Sequence, residues 1–341
     1  MTLRQAQDTR LGVIGAGAWG TAIAQMLASD GSDVLLWALE PDVAEAINTT
    51  RRNPTYLPSA ELAAGITATS ALADLADCDI LFAVTPAQHL DATLAVLGEQ
   101  PRDLVLCSKG IEASSGRLMN EVAAEACPDS ALAIMSGPTF AHEVAAGLPT
   151  AVTLACSGGD AQWDRLAPAI ARPAFRPYYS DDVTGAEIGG AVKNVLAIAC
   201  GVVDGLELGQ NARAALIARG YAEMLRFGEA LGARAETLAG LCGLGDLVLT
   251  CSSTSSRNFS LGKALGEGQG AHDLMSDRRT VAEGAFTAPI LRKLADEHGI
   301  SMPIVEAVNR LLDGAPARET AADLLARPLK SERGIGEGGA Q

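Results

Sequence analysis

Aromatic side chains are scarce in this 341-residue chain, at 4% of the sequence, and cations are outnumbered, 26 Lys and Arg against 41 Asp and Glu. The resulting formal charge of −15 disfavours nucleic acid and anionic membrane surfaces as partners, because both call for a basic face. An uninterrupted apolar run of about 18 residues is also missing, so no membrane span is expected. The first ten residues, MTLRQAQDTR, contain no apolar core and do not read as a signal peptide. The seven cysteines (78, 107, 127, 156, 200, 242 and 251) lie far apart without a C-x-x-C pair, and His89, His142, His272 and His298 add no ligand spacing. Neither a metal site nor a disulfide framework is expected, which suits a reducing cytoplasm. A G-x-x-x-x-G-K-[ST] loop, a G-x-S-x-G elbow and an H-E-x-x-H pair are all absent. Their absence argues against P-loop phosphoryl transfer, α/β-hydrolase chemistry and zinc proteolysis.

What is present is the composition of a globular enzyme, 48% hydrophobic and 20% charged. The length exceeds what one core usually supports, so two domains are expected. In the first half, Leu11–Ile14, Val34–Trp37, Ile80–Thr85, Leu104–Ser108 and Ala131–Ser136 read as short buried strands. Helical stretches such as Thr21–Ala28 and Leu118–Ala126 separate them. That rhythm predicts βαβ units and a largely parallel, doubly wound α/β sheet of Rossmann type. Ala151–Cys156 and Phe175–Tyr179 are candidates to extend it. After about residue 185 the rhythm stops. Ala186–Val203, Ala212–Leu231, Leu274–Ser276, Thr287–His298 and Ile304–Leu312 read as helices. The expected layout is a dinucleotide-binding domain over 1–185, an all-α C-terminal domain over 186–330 and a disordered tail over 331–341.

Gly15-Ala16-Gly17-Ala18-Trp19-Gly20 follows the first strand and opens the first helix, so the G-x-G-x-x-G spacing stands in the context it requires. Gly15 permits the tight turn, Gly17 lets backbone approach a pyrophosphate, and Gly20 lets the helix pack on the strand. The second strand leads into Leu39-Glu40. Glu40 lies where an acid accepts from the adenosine ribose 2′-OH of NAD, or else serves the start of the helix after Pro41. Arg51 and Arg52 follow in the next loop, within reach of a 2′-phosphate. NAD is slightly favoured over NADP.

Lys193 is the one charge between Glu187 and Asp204. A lysine in an apolar helix either snorkels to the surface or loses affinity for its proton, and the second case makes a general base. The adjacent Gly189-Gly190 pair suggests close approach by backbone or ligand. Asp246 and Thr250 share a helix face in a second charge-poor stretch. Asp246 reads either as an N-cap after Gly245 or as a partner for Lys193. Ser256-Arg257-Asn258 offers a hydroxyl, a guanidinium and an amide to phosphate oxygens, though such clusters also occur in plain loops. With a net charge of −15, any phosphate site must be built locally from such groups. Ser108-Lys109-Gly110 and Ser136-Gly137-Pro138-Thr139 end two strands at the carboxyl edge, where doubly wound sheets bind ligands and where turn residues also gather.

Taken in order, these segments resemble the soluble NAD(P)-dependent glycerol-3-phosphate dehydrogenase family of bacterial type. The motifs are GAGAWG at 15–20, NPTYLP at 53–58, SKGIE at 108–112, SGPTFAHE at 136–143 and GGAVKNVLAIACG at 189–201. NARAALIARG at 211–220, GLGDLVLTC at 243–251, SSRN at 255–258 and VAEG at 281–284 follow. The resemblance implies Lys193 as catalytic lysine, with Asp246, Asn194 and Thr250 in support. It implies substrate contacts at Lys109, Gly137, Thr139, Lys193, Asp246, Ser256, Arg257 and Asn258. For the cofactor it implies Ala18, Trp19, Lys109, Ala141, Arg257, Val281 and Glu283, beside Gly15, Gly17, Gly20, Leu39 and Glu40. It implies reversible hydride transfer between sn-glycerol 3-phosphate and dihydroxyacetone phosphate, feeding phospholipid synthesis, and a homodimer. Many bacterial relatives carry His or Arg where this chain has Leu39, which bears on NADP preference. The alternatives are a ketopantoate or hydroxyacid reductase of the same superfamily, and a non-catalytic NAD(H) sensor.

Overall fold

The structure is a computed structural model that describes residues 9–98, 100–276 and 282–328. The expected tail over 331–341 lies outside the described residues. The chain divides into two compact units: Met1–Ser108 with Arg117–Val183, and Lys109–Gly116 with Thr184–Gln341.

The first unit is built on eight strands: β1 (Leu11–Ile14), β2 (Val34–Trp37), β3 (Ile66–Thr69), β4 (Ile80–Ala83), β5 (Asp103–Leu106), β6 (Ala131–Ser136), β7 (Thr150–Cys156) and β8 (Phe175–Ser180). Their order is β3-β2-β1-β4-β5-β6-β7-β8. The first six run parallel, β7 pairs antiparallel with β6, and β8 is parallel to β7. Sheets of this kind are covered on both faces, so central strands such as LGVI and ILFA are buried along their whole length. The connection reverses between β1 and β4, the switch point at which such sheets bind ligands.

Several strand features departed from expectation: β4 ends at Ala83, not Thr85, and β5 ends at Leu106, not Ser108. β3 was not anticipated, because ITAT is only four residues long and alternates buried and exposed positions. β5 begins one residue earlier than its apolar run, at Asp103, whose carboxylate is neutralised by Arg165 at 2.9 Å and accepts from Gln162 at 3.1 Å.

The second unit is helical and centres on Val183–Gly205, which is buried from Gly185 to Val202. This helix is long and apolar enough to cross a membrane by composition, yet 94% of that window is buried inside the protein. An all-round apolar helix is what a protein core requires. Around it lie Gly209–Ala230, Asp246–Thr250, Arg257–Gly266, Glu283–Glu297, Pro303–Leu312 and Ala317–Leu325. All seven cysteines are buried and unbridged.

Candidate active site

The close approach behind Gly189 is visible. A Cβ at this position would lie 2.4 Å from the carbonyl oxygen of Cys242 and 3.1 Å from the Cα of Gly243. Only glycine lets the turn Leu241–Gly245 lie against the helix, and that contact brings Asp246 to Lys193. Gly245 takes the N-cap position of the short helix that follows, and the Asp246 carboxylate is not a cap. The N-cap reading of Asp246 is thereby corrected. Lys193 does not snorkel either, being only 6% exposed.

The Asp246 carboxylate is shared by two ammonium groups. Lys193 Nζ donates to Oδ1 at 2.6 Å, and Lys109 Nζ donates to Oδ2 at 2.8 Å. Thr250 Oγ1, one helical turn on, accepts from Lys193 at 3.0 Å and donates to Asp246 Oδ1 at 3.2 Å. All four side chains belong to the second unit, which the Lys109–Gly116 segment joins. Burial alone would push the Asp246 carboxyl up, but the two lysines hold it below the ordinary carboxylate range. Burial opposes charge on Lys109 as well, but Asp246 prevails and its ammonium binds the proton more tightly than usual. Lys193 is left as the weaker base. Burial lowers it, Asp246 only partly compensates, and the Lys109 charge lowers it further, to about 8. One anion cannot fully neutralise two cations, so the second proton is the labile one. A buried amine poised near neutrality and fixed by two partners suits general acid–base work.

Asn194 follows Lys193 on the same helix. Its Oδ1 accepts from Asn258 Nδ2 at 3.0 Å, and Asn258 Oδ1 accepts from the Gly284 backbone N–H at 2.9 Å. Ser256 is the N-cap of Arg257–Gly266, its hydroxyl accepting from the Phe259 N–H at 3.3 Å. This helix was not expected, because Ser-Ser-Arg-Asn reads equally as a solvated loop. Arg257 stands exposed in its first turn. Glu283 is half-buried at the start of Glu283–Glu297. Burial raises its carboxyl above the ordinary range, against the pull of Arg257, Lys109 and Lys193. Val281 lies outside the described residues.

The remaining expected positions fall in the first unit. Gly15 has φ +112°, and a Cβ on Gly20 would meet the Gly15 carbonyl oxygen at 1.8 Å, so both must be glycine. A Cβ on Gly17 would point into open space. Gly17 is the N-cap of α1 (Ala18–Leu27), and among the described residues no side chain caps that end or places an acid in its first turn. The buried indole N–H of Trp19 has no hydrogen-bond partner among the described residues. An uncapped helix start, a cradle without side chains and an unanswered donor fit a dinucleotide's phosphates. Ala141 begins the short helix Ala141–Ala145, which packs on α1. Gly137 has φ +156° after β6, and Thr139 Oγ1 donates to its carbonyl at 3.2 Å.

Leu39 is 70% exposed beyond β2. Glu40 occupies the N-cap position of α2 (Pro41–Thr50), but its carboxylate makes no capping bond. It accepts instead from Tyr56 Oη at 2.7 Å. Tyr56 was not singled out from sequence. Its place in NPTYLP was the available signal, but nothing local links that loop to Glu40.

Comparison with known proteins settles the family. The family described as NAD-dependent glycerol-3-phosphate dehydrogenase matches by its N-terminal part over residues 10–162 and by its C-terminal part over residues 182–323. The chain belongs to this family. It is 74% identical over 322 residues to a glycerol-3-phosphate dehydrogenase [NAD(P)+] of Erythrobacter litoralis, covering 94% of this chain and 97% of the relative. It is 71% identical over 323 residues to one of Novosphingobium aromaticivorans, covering 94% and 98%. The crystal structure of glycerol-3-phosphate dehydrogenase from Coxiella burnetii superposes with a TM-score of 0.88 at 38% identity, covering 94% of this chain and 99% of that one. As a member of the family, the chain is an NAD(P)-dependent oxidoreductase, which separates it from the sensor and ketopantoate-type alternatives.

Proposed function

We propose that the chain interconverts sn-glycerol 3-phosphate and dihydroxyacetone phosphate, and that Lys193 moves the C2 proton. The observation that carries this reading is the buried Lys193–Asp246–Lys109 cluster, with Lys193 as its weakly basic member. In the oxidative direction, neutral Lys193 takes the proton of the C2 hydroxyl, and in reduction the ammonium returns it. The bound nicotinamide supplies the hydride acceptor or donor. Asp246 and Thr250 fix the amine's direction. Lys109 and Arg257, with the amide of Asn258 and the hydroxyl of Ser256, answer the substrate's phosphate, which needs local cations in a chain of net charge −15. The Gly15–Gly20 loop, Trp19 and Ala141 would hold the dinucleotide, with Leu39 and Glu40 at its adenosine end.

A cytoplasmic, homodimeric enzyme supplying glycerol 3-phosphate for phospholipid synthesis is the setting this reading implies. Following NADH oxidation on addition of dihydroxyacetone phosphate tests it. Turnover with dihydroxyacetone phosphate but not with ketopantoate supports the assignment, and the reverse pattern overturns it.

A further inference from the structure

The NPTYLP loop has no part in the chemistry above, yet the structure ties it to both ends of the nucleotide cradle. Asn53 is fully buried. Its Nδ2 donates to the Ala16 carbonyl inside the glycine loop at 2.8 Å and to Thr21 Oγ1 at 2.9 Å. Its Oδ1 accepts from the Tyr56 backbone N–H at 3.1 Å. Tyr56 then reaches Glu40 through its hydroxyl at 2.7 Å. One turn therefore fastens the phosphate loop at one end and the acid after β2 at the other.

A phenol that donates to one oxygen of a carboxylate fixes its orientation and leaves the other oxygen able to accept. The neighbouring cations are directed elsewhere. Arg51 Nη1 donates to the Ile66 carbonyl at 2.6 Å. Ile66 pairs with Val34 at the start of β2, whereas Glu40 follows Trp37 at its end. Three residues of strand put roughly 10 Å between those levels. Arg52 donates to the Pro58 carbonyl at 3.4 Å and lies 3.7 Å from Glu61.

We propose that Tyr56 is a specificity-determining positioning residue: it fixes the Glu40 carboxylate so that it accepts from an adenosine ribose 2′-hydroxyl and repels a 2′-phosphate. The inference rests on the reading that the glycine loop holds the dinucleotide. A 2′-phosphate brings nearly two further negative charges against an anion, while a 2′-hydroxyl brings a donor.

The test is calorimetric titration of the whole protein with NADH and with NADPH, without substrate. The wild type binds NADH more tightly. Tyr56→Phe keeps the ring and removes the donor. It should weaken NADH about tenfold, the usual effect of losing a charge-assisted hydrogen bond, and move NADPH less than twofold. Glu40→Gln should narrow the same gap, and adding Tyr56→Phe to it should do nothing more, because Tyr56 acts through Glu40. Equal weakening of both cofactors, or additive losses in the double variant, would overturn the proposal, as would a wild type that prefers NADPH. A wild type that binds neither cofactor would instead overturn the underlying reading of the glycine loop. If Tyr56→Phe lowers the melting temperature too far for titration, the NADH-to-NADPH ratio in Glu40→Gln decides: an unchanged ratio refutes the assignment.

Discussion

Asp246→Asn probes the site where its energetics are most legible. The substitution keeps the shape and removes the charge from a residue with no exposed surface. Two ammonium groups, at 2.6 and 2.8 Å, then lose their shared counter-ion. Breaking a buried ion pair by removing one partner costs about 3–5 kcal/mol when the stranded charge must stay. Here it need not stay. Lys193 already sits near 8, so shedding its proton at pH 7 costs only about 1.4 kcal/mol. Deprotonation therefore limits the penalty, and about 2–3 kcal/mol of lost stability at pH 7 is expected. The sign with pH follows from linkage. A lysine held below its unfolded value of 10.5 binds fewer protons when folded, so its burial penalty is fully present below about 8 and relieved between there and 10.5. In the variant the relief begins at lower pH, because the attraction of Asp246 is gone. Urea denaturation at pH 7 and pH 9 should show the gap between variant and wild type shrinking at the higher pH. The midpoint of the pH–rate profile for glycerol 3-phosphate oxidation should move to the acid side by one pH unit or more. An unmoved or alkaline-shifted midpoint, or a stability gap that widens with pH, would refute the shared-carboxylate account.

Three further outcomes are expected. Wild-type kcat/KM for glycerol 3-phosphate oxidation should rise through pH 8 while dihydroxyacetone phosphate reduction falls, because the two directions need opposite forms of Lys193; parallel profiles would count against it. Arg257→Lys, which keeps the charge but loses the two-pronged donor, should raise KM for dihydroxyacetone phosphate far more than it alters activity on unphosphorylated dihydroxyacetone. Equal effects would show that Arg257 does not read phosphate. Buried Glu223 accepts from the N–H groups of Ile304 and Val305, at 2.8 and 3.3 Å, and burial raises its carboxyl from 4.5 to about 7. Its contribution is present below pH 4.5 and lost as pH rises through 7, a loss of about 3 kcal/mol that Glu223→Gln should remove from the denaturation profile.

How far the sequence carried these conclusions depended on the range of the interaction involved. Central strands such as LGVI and ILFA were legible because burial on both faces demands unbroken apolar runs. Lys193 was legible because a single charge in an apolar helix is costly, and Gly189 because glycine mid-helix calls for a close neighbour. β3 was not legible, since its four residues pair with β2 across a loop and carry little pattern of their own. The partner of Asp246 could not be decided locally, because Lys109 is 137 residues away and Lys193 is 53. For the same reason the sequence left Glu40 open between a ribose acceptor and a helix-start residue, since the hydroxyl that holds its carboxylate belongs to Tyr56, 16 residues on.

The measurement that bears most directly on the central claim is turnover of dihydroxyacetone phosphate with NADH by Lys193→Ala, with and without added ethylammonium. Melting temperature and NADH affinity establish that the variant is folded and loaded. If Lys193 moves the C2 proton, kcat falls by about 10²–10⁴-fold, and the exogenous amine restores part of it in a pH-dependent manner. Near-wild-type turnover in a folded, NADH-binding variant would contradict the account.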